Sequence, residues 1–131
     1  MIPMDKSLVV IENDEALLDM TAFYFSEQGW EVHTAPDGHL GVALALEKRP
    51  TAIICDIIMG EMHGFDVLRA LRSKPETKNT VIIITSAKAY KPDIDRALEL
   101  GATAYVVKPF RTDELHALIE RHLATPRELE P

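Results

Sequence analysis

The sequence predicts an α/β fold: a five-stranded parallel sheet, doubly wound, with helices on both faces. Four apolar runs, Leu8 to Ile11, Ala52 to Cys55, Val81 to Ile84 and Ala104 to Val107, are continuous rather than alternating, as strands covered on both sides must be. A stretch with helical periodicity follows each run, which makes a βα rhythm. The segment Trp30 to Ala35 is more mixed, with Glu31 and His33 among apolar residues, and is expected at an edge, with the four apolar runs central.

The helices follow from spacing and stop signals. Helix one is expected from about Asp14 to Gln28, with Leu17, Met20 and Tyr24 on one stripe, Leu18 and Phe25 beside it, and Gly29 as its stop. Helix two follows Pro36 and Asp37, presents Leu40, Ala43 and Leu44, and ends before Pro50. Helix three carries Phe65, Leu68 and Leu71. Helix four begins near Pro92, presents Ile94, Ala97 and Leu98, and stops at Gly101. Helix five is expected to be capped by Thr112, with Asp113 and Glu114 in its first turn and Arg121 and His122 in its last, burying Leu115, Leu118 and Ile119. Right-handed crossovers with helices on both faces leave few topologies, and the strand order 2-1-3-4-5 puts the most polar strand at an edge.

Length and composition limit the function classes. A chain of 131 residues, 47% hydrophobic and 27% charged, suits one domain. We expect residues 1–124 to form it and 125–131, with two prolines and three charges, to be a flexible tail. No apolar run is long enough to span a bilayer and no secretory signal is evident, so a cytoplasmic location without membrane contact is expected. The net charge of −7 argues against direct nucleic-acid binding, which needs clustered Lys and Arg. Cys55 lies within an apolar run and reads as a buried small side chain. His33, His39, His63, His116 and His122 show no ligand spacing and are expected at the surface or partly buried. There is neither a dinucleotide fingerprint nor a GxxxxGK[ST] phosphate loop, so no bound nucleotide cofactor is expected.

The chemistry gathers at the carboxyl ends of the strands, where ligands bind in open α/β sheets. Glu12, Asn13 and Asp14 follow strand one, Asp56 follows strand three, Thr85 and Ser86 follow strand four, and Lys108 follows strand five. Carboxylates converging there require a cation, and hard oxygen ligands with open positions suit magnesium. Asp56 can then serve as a carboxylate nucleophile toward a phosphoryl group, with Lys108 as a point cation and Thr85 as a hydroxyl donor to phosphoryl oxygens. Such a transfer depends on positioning and charge neutralisation more than on an acid or base.

The stretches LVVIENDEALL, AIICDIIMGEMHGFDVL, VIIITSA and GATAYVVKPF, in this order and spacing, resemble the receiver domains of bacterial two-component response regulators, which share the flavodoxin-like fold. The resemblance covers Ser7 to Leu123. It implies that Asp56 is the phosphoryl acceptor, that Glu12, Asn13, Asp56 and the backbone carbonyl of Ile58 surround magnesium, and that Lys108 contacts the phosphoryl group. Thr85 and Tyr105 would form a switch pair reshaping the face of helix four, strand five and helix five. The Lys108–Pro109 bond would be cis. The implied partners are a sensor histidine kinase or phosphotransfer protein upstream and a protein target downstream, for a domain that is a monomer or a phosphorylation-linked dimer. The chain would be a phosphoacceptor switch, not an enzyme turning over substrate, and either a stand-alone receiver or part of a larger regulator.

Two departures from the family pattern carry expectations. Asn13 stands where receivers usually place Asp, which keeps an oxygen ligand but loses a charge, so weaker magnesium binding is expected, with Asp14 a poorly placed substitute. Gly60 replaces a common proline, which would loosen the loop after Asp56. Ile58 and Ala87, each two residues beyond a site residue, offer no polar group to orient a hydrolytic water, so a long-lived phosphoryl group is expected. Three competing readings are set against this one. A phosphohydrolase commonly needs a second Asp where Ile58 stands; a flavin-binding domain needs a phosphate-cradling first loop; a phosphorylation-independent pseudo-receiver would bind partners through the same fold.

Overall fold

The computed structural model describes residues 6–124. Five strands alternate with five helices: β1 (Ser7–Ile11), α1 (Glu15–Glu27), β2 (Glu31–Ala35), α2 (Gly38–Lys48), β3 (Ala52–Asp56), α3 (Gly64–Arg72), β4 (Val81–Ser86), α4 (Lys91–Glu99), β5 (Ala104–Val107) and α5 (Thr112–Ala124). All pairings are parallel, in the order β2-β1-β3-β4-β5. The expected tail, 125–131, lies outside the described residues. Among the described residues no helix is long and apolar enough to cross a membrane.

Side-chain alternation along the three inner strands divides the core into two layers. Val9, Ile11, Ile53, Cys55, Ile82 and Ile84 face α2, α3 and α4, where Ala45, Val67, Leu68, Leu71 and Ala97 complete one cluster. Leu8, Val10, Ala52, Ile54, Val81 and Ile83 face α1 and α5, where Leu18, Phe25, Trp30, Leu115 and Ile119 complete the other. Burial on both faces is the reason these strands read as unbroken apolar runs.

Several expectations need correction. The expectation that all four apolar runs are central fails for β5, which the order 2-1-3-4-5 itself puts at an edge: Ala104, Tyr105 and Val106 are half-buried and Val107 is 37% exposed. Its apolar character reflects helices on its faces rather than a strand on each side. On α1 the buried stripe is Leu18, Thr21 and Phe25, with Leu17 and Tyr24 flanking it and Met20 51% exposed. On α2 the buried residues are Gly38, Gly41 and Ala45, Gly38 against Met62 and Val67 and Gly41 against the sheet, while Leu40 and Ala43 turn outward. Small residues win there because the helix lies against β1: a Cβ on Gly41 would sit 2.4 Å from Ile11 Cδ1. On α3 Val67 joins Leu68 and Leu71 in the interior and Phe65 is half-buried; on α4 only Ala97 is fully buried; on α5 Leu118 is half-buried. The Leu115 N–H donates to the Arg111 carbonyl at 3.0 Å, so Arg111 occupies the cap position expected of Thr112.

Candidate functional site

Strand ends deliver Glu12, Asp56, Thr85 and Lys108 to one rim of the sheet. Glu12 follows β1 directly, and its N–H continues the ladder by donating to the Ala35 carbonyl at 3.0 Å. Asp56 ends β3 in register with Thr85 of β4, and the Ile57 N–H extends that pairing to the Thr85 carbonyl at 2.9 Å. Lys108 follows β5, held by its N–H to the Ser86 carbonyl at 2.7 Å, and the next peptide bond, Lys108–Pro109, is cis. All three are edge-of-core positions: Glu12 is 4% exposed, Asp56 7% and Thr85 1%.

Lys108 ties the two carboxylates together. Its Nζ lies 2.8 Å from Glu12 Oε1 and 3.3 Å from Asp56 Oδ1. The other Glu12 oxygen, Oε2, accepts from the Asp14 N–H at 3.0 Å, which orients the carboxylate. Burial opposes the charge on Lys108, but its bond to Glu12 and the charges of Asp56 and Glu12 outweigh that and hold its pKa above the usual lysine value. Burial and the Glu12 charge push the Asp56 carboxyl up, and Lys108 offsets this only in part. The rim therefore holds more buried negative charge than its lysine neutralises. Burial, with Asp56 and Glu12 nearby, also raises the neighbouring Cys55 thiol and keeps it protonated, as suits a packing residue.

The remaining expected ligands are less converged. Asn13 is exposed and lines a separate groove with Asp37, His39 and Glu61. Asp14 is no substitute ligand as it stands: its Oδ1 caps α1, accepting from the Ala16 and Leu17 N–H groups at 3.1 and 3.2 Å. The Ile58 side chain is 57% exposed on the loop leaving Asp56. Among the described residues no three His, Cys, Asp or Glu side chains gather as a metal cluster. Two buried carboxylates with surplus negative charge nevertheless fit a hard cation that completes its shell with water and substrate oxygens.

Further features shape the surroundings, among them Tyr105, which the sequence reading assigns to the switch pair. Gly64, the first residue of α3, packs against the back of the site: a Cβ there would lie 2.7 Å from the Asp56 carbonyl oxygen and from Ile57 Cα. Tyr105 donates its hydroxyl to the Lys88 carbonyl at 2.9 Å, joining β5 to the loop that follows Thr85 and Ser86. An open groove of about 560 Å³ runs from Lys108 along Leu17, Met20 and Phe110. The apolar spacing on α1 was the available signal for it, but that spacing reads equally well as core.

A family model for the response regulator receiver domain matches residues 8–120. The chain belongs to the receiver-domain family of two-component response regulators. Among solved structures, the receiver domain is similar to the chemotaxis response regulator CheY4 of Vibrio cholerae, at 27% identity over 90% of this chain and 98% of that one, with a TM-score of 0.84. It is also similar to a CheY-like receiver domain protein of Methanospirillum hungatei, at 26% identity over 92% of this chain and 94% of that one, TM-score 0.84. The receiver domain of a Pseudomonas aeruginosa sensor histidine kinase shares the fold at 23% identity over 93% of this chain and 100% of that one, TM-score 0.84, and its structure has a magnesium ion coordinated in the active-site cleft.

Proposed function

We propose that this receiver domain takes a phosphoryl group onto Asp56 from a phosphohistidine and relays the event through the face of α4, β5 and α5. The observation that carries the reading is the cluster of two buried carboxylates bridged by Lys108 at a sheet rim. In the transfer a carboxylate oxygen of Asp56 forms the new O–P bond as the N–P bond to the donor imidazole breaks, giving an acyl phosphate and a free histidine. Glu12, Asp56, the Asn13 amide and the Ile58 carbonyl would hold magnesium, as a cation is held in the cleft of the Pseudomonas domain. Bound there, magnesium would neutralise phosphoryl charge and orient the phosphoryl oxygens.

Lys108 has the central task on the protein's side. It now holds Glu12, and on phosphorylation its ammonium would turn to a phosphoryl oxygen, leaving Glu12 free to serve the cation. Thr85, in register with Asp56, would donate its hydroxyl to another phosphoryl oxygen. Movement there would reach Tyr105 through the loop that its hydroxyl grips at Lys88. The groove beside Lys108, lined mainly by apolar residues such as Leu17, Met20 and Phe110, would seat the phosphodonor. A downstream protein would read the result on the α4-β5-α5 face, and no nucleic-acid contact by this domain is needed.

The test is incubation with acetyl phosphate, with and without magnesium, followed by intact mass, with Asp56→Asn as control. One phosphate-sized adduct that needs magnesium and is absent from the control is the expected result. Its absence at every magnesium concentration, with the fold intact, would make the phosphorylation-independent module the better account. After removal of the donor the adduct should persist, because Ile58 and Ala87 offer no polar side chain to an attacking water; rapid loss from the isolated domain would contradict that part.

A further inference from the structure

Away from the rim, His116 of α5 sits in an aromatic corner. Its ring makes edge-on contacts with Tyr24, Phe25 and Trp30, with centroids 5.7, 5.1 and 5.8 Å away. Trp30 precedes β2 and Lys6 precedes β1, so the corner lies toward the opposite end of the sheet from Asp56. The side chain is 15% exposed.

The two ring nitrogens face different demands. Nδ1 is 3.3 Å from the Tyr24 hydroxyl, which can donate or accept. Nε2 is 3.1 Å from Trp30 Nε1 and 3.1 Å from Glu120 Oε2. An indole N–H only donates and a carboxylate only accepts, so one imidazole nitrogen cannot satisfy both at once. With the proton on Nδ1, the neutral ring accepts from Trp30 and donates to Tyr24, and the Glu120 carboxylate is left to Lys6, 3.4 Å away. In the imidazolium, Nε2–H donates to Glu120 and the Trp30 N–H loses its acceptor.

We infer that His116 is a proton-operated switch: protonation transfers its Nε2 from Trp30 to Glu120 and unties α5 from the turn into β2, while Nδ1 keeps its bond to Tyr24 of α1. The groups facing the ring are Tyr24 from α1, Trp30 from the turn into β2, Glu120 from α5 itself and, through Glu120, Lys6 ahead of β1. On β2 the Glu31 carboxylate and the His33 ring bond each other at 2.8 Å. The proton that forms the Nε2–H bond is supplied by solvent, and no bond between heavy atoms changes.

Trp30 is the single tryptophan, so one indole N–H resonance and all tryptophan emission come from this corner. Between about pH 8 and about pH 5, where histidine changes charge, the indole resonance should shift and the emission change with it. His116→Gln, which keeps a neutral donor and acceptor, should abolish both responses. Glu120→Gln removes the anionic acceptor from the half-exposed rim of the corner and should shrink the response at the acid end; it keeps the test available should His116→Gln not fold. An indole signal that does not respond to pH, or a response unchanged in either folded variant, would overturn the proposal.

Discussion

Asp56 is the residue at which function and stability conflict. Burial and Glu12 raise its pKa, so the folded chain binds its proton more tightly than the unfolded chain does. From the ordinary carboxylate range upward to that raised value, the folded state carries the extra proton, and stability falls as pH rises across this window. Ionised Asp56 is thus a standing cost at neutral pH. Asp56→Asn is expected to stabilise the domain by about 1 kcal/mol at neutral pH and to flatten the acid side of its stability profile. Urea unfolding of both proteins at several pH values checks this; an Asn variant less stable than the parent at neutral pH would contradict it.

At the scale of elements, the α3 start is the least forgiving junction. The Gly64 N–H donates to the Ile57 carbonyl at 2.7 Å, and its missing Cβ is what lets α3 lie against the backbone of the Asp56 loop. At Gly41 of α2 an added methyl would meet the Ile11 side chain, which can adjust; at Gly64 it would meet backbone, which cannot. Gly64→Ala should therefore cost about 1–3 kcal/mol despite the better helix propensity of alanine, and more than Gly41→Ala. Denaturant midpoints of the pair test the ranking, and equal costs would show that the loop yields. The helix periods were legible in sequence, but the faces of α1 and α2 were not. Periodicity marks which residues share a stripe, whereas the depth of each stripe depends on how closely the helix approaches the sheet.

For the whole molecule, one sheet serves both cores, so neither can dissolve without the other. Ile53 belongs to the layer under α2, α3 and α4, while Trp30 belongs to the layer under α1 and α5. Ile53→Ala should destabilise the fold by about 2–5 kcal/mol, and Trp30 emission and far-UV circular dichroism should still follow one unfolding transition. Separate transitions would mean that the two layers fold as independent units.

Strand order, helix count and the meeting of Glu12, Asp56, Thr85 and Lys108 at one rim were readable from the chain itself, whereas the place of Asn13 in a separate groove was not. A sheet buried on both faces forces unbroken apolar runs, and the first polar residue after each run, Glu12, Asp56, Thr85 or Lys108, must then come out at the same rim. The grip of Lys108 on Glu12 and the divided loyalties of His116 came only with the tertiary structure. Each is a choice between partners far apart in sequence, such as Lys108 and Glu12 or His116 and Trp30. Local pattern carries no information on which of them will stand three ångströms away.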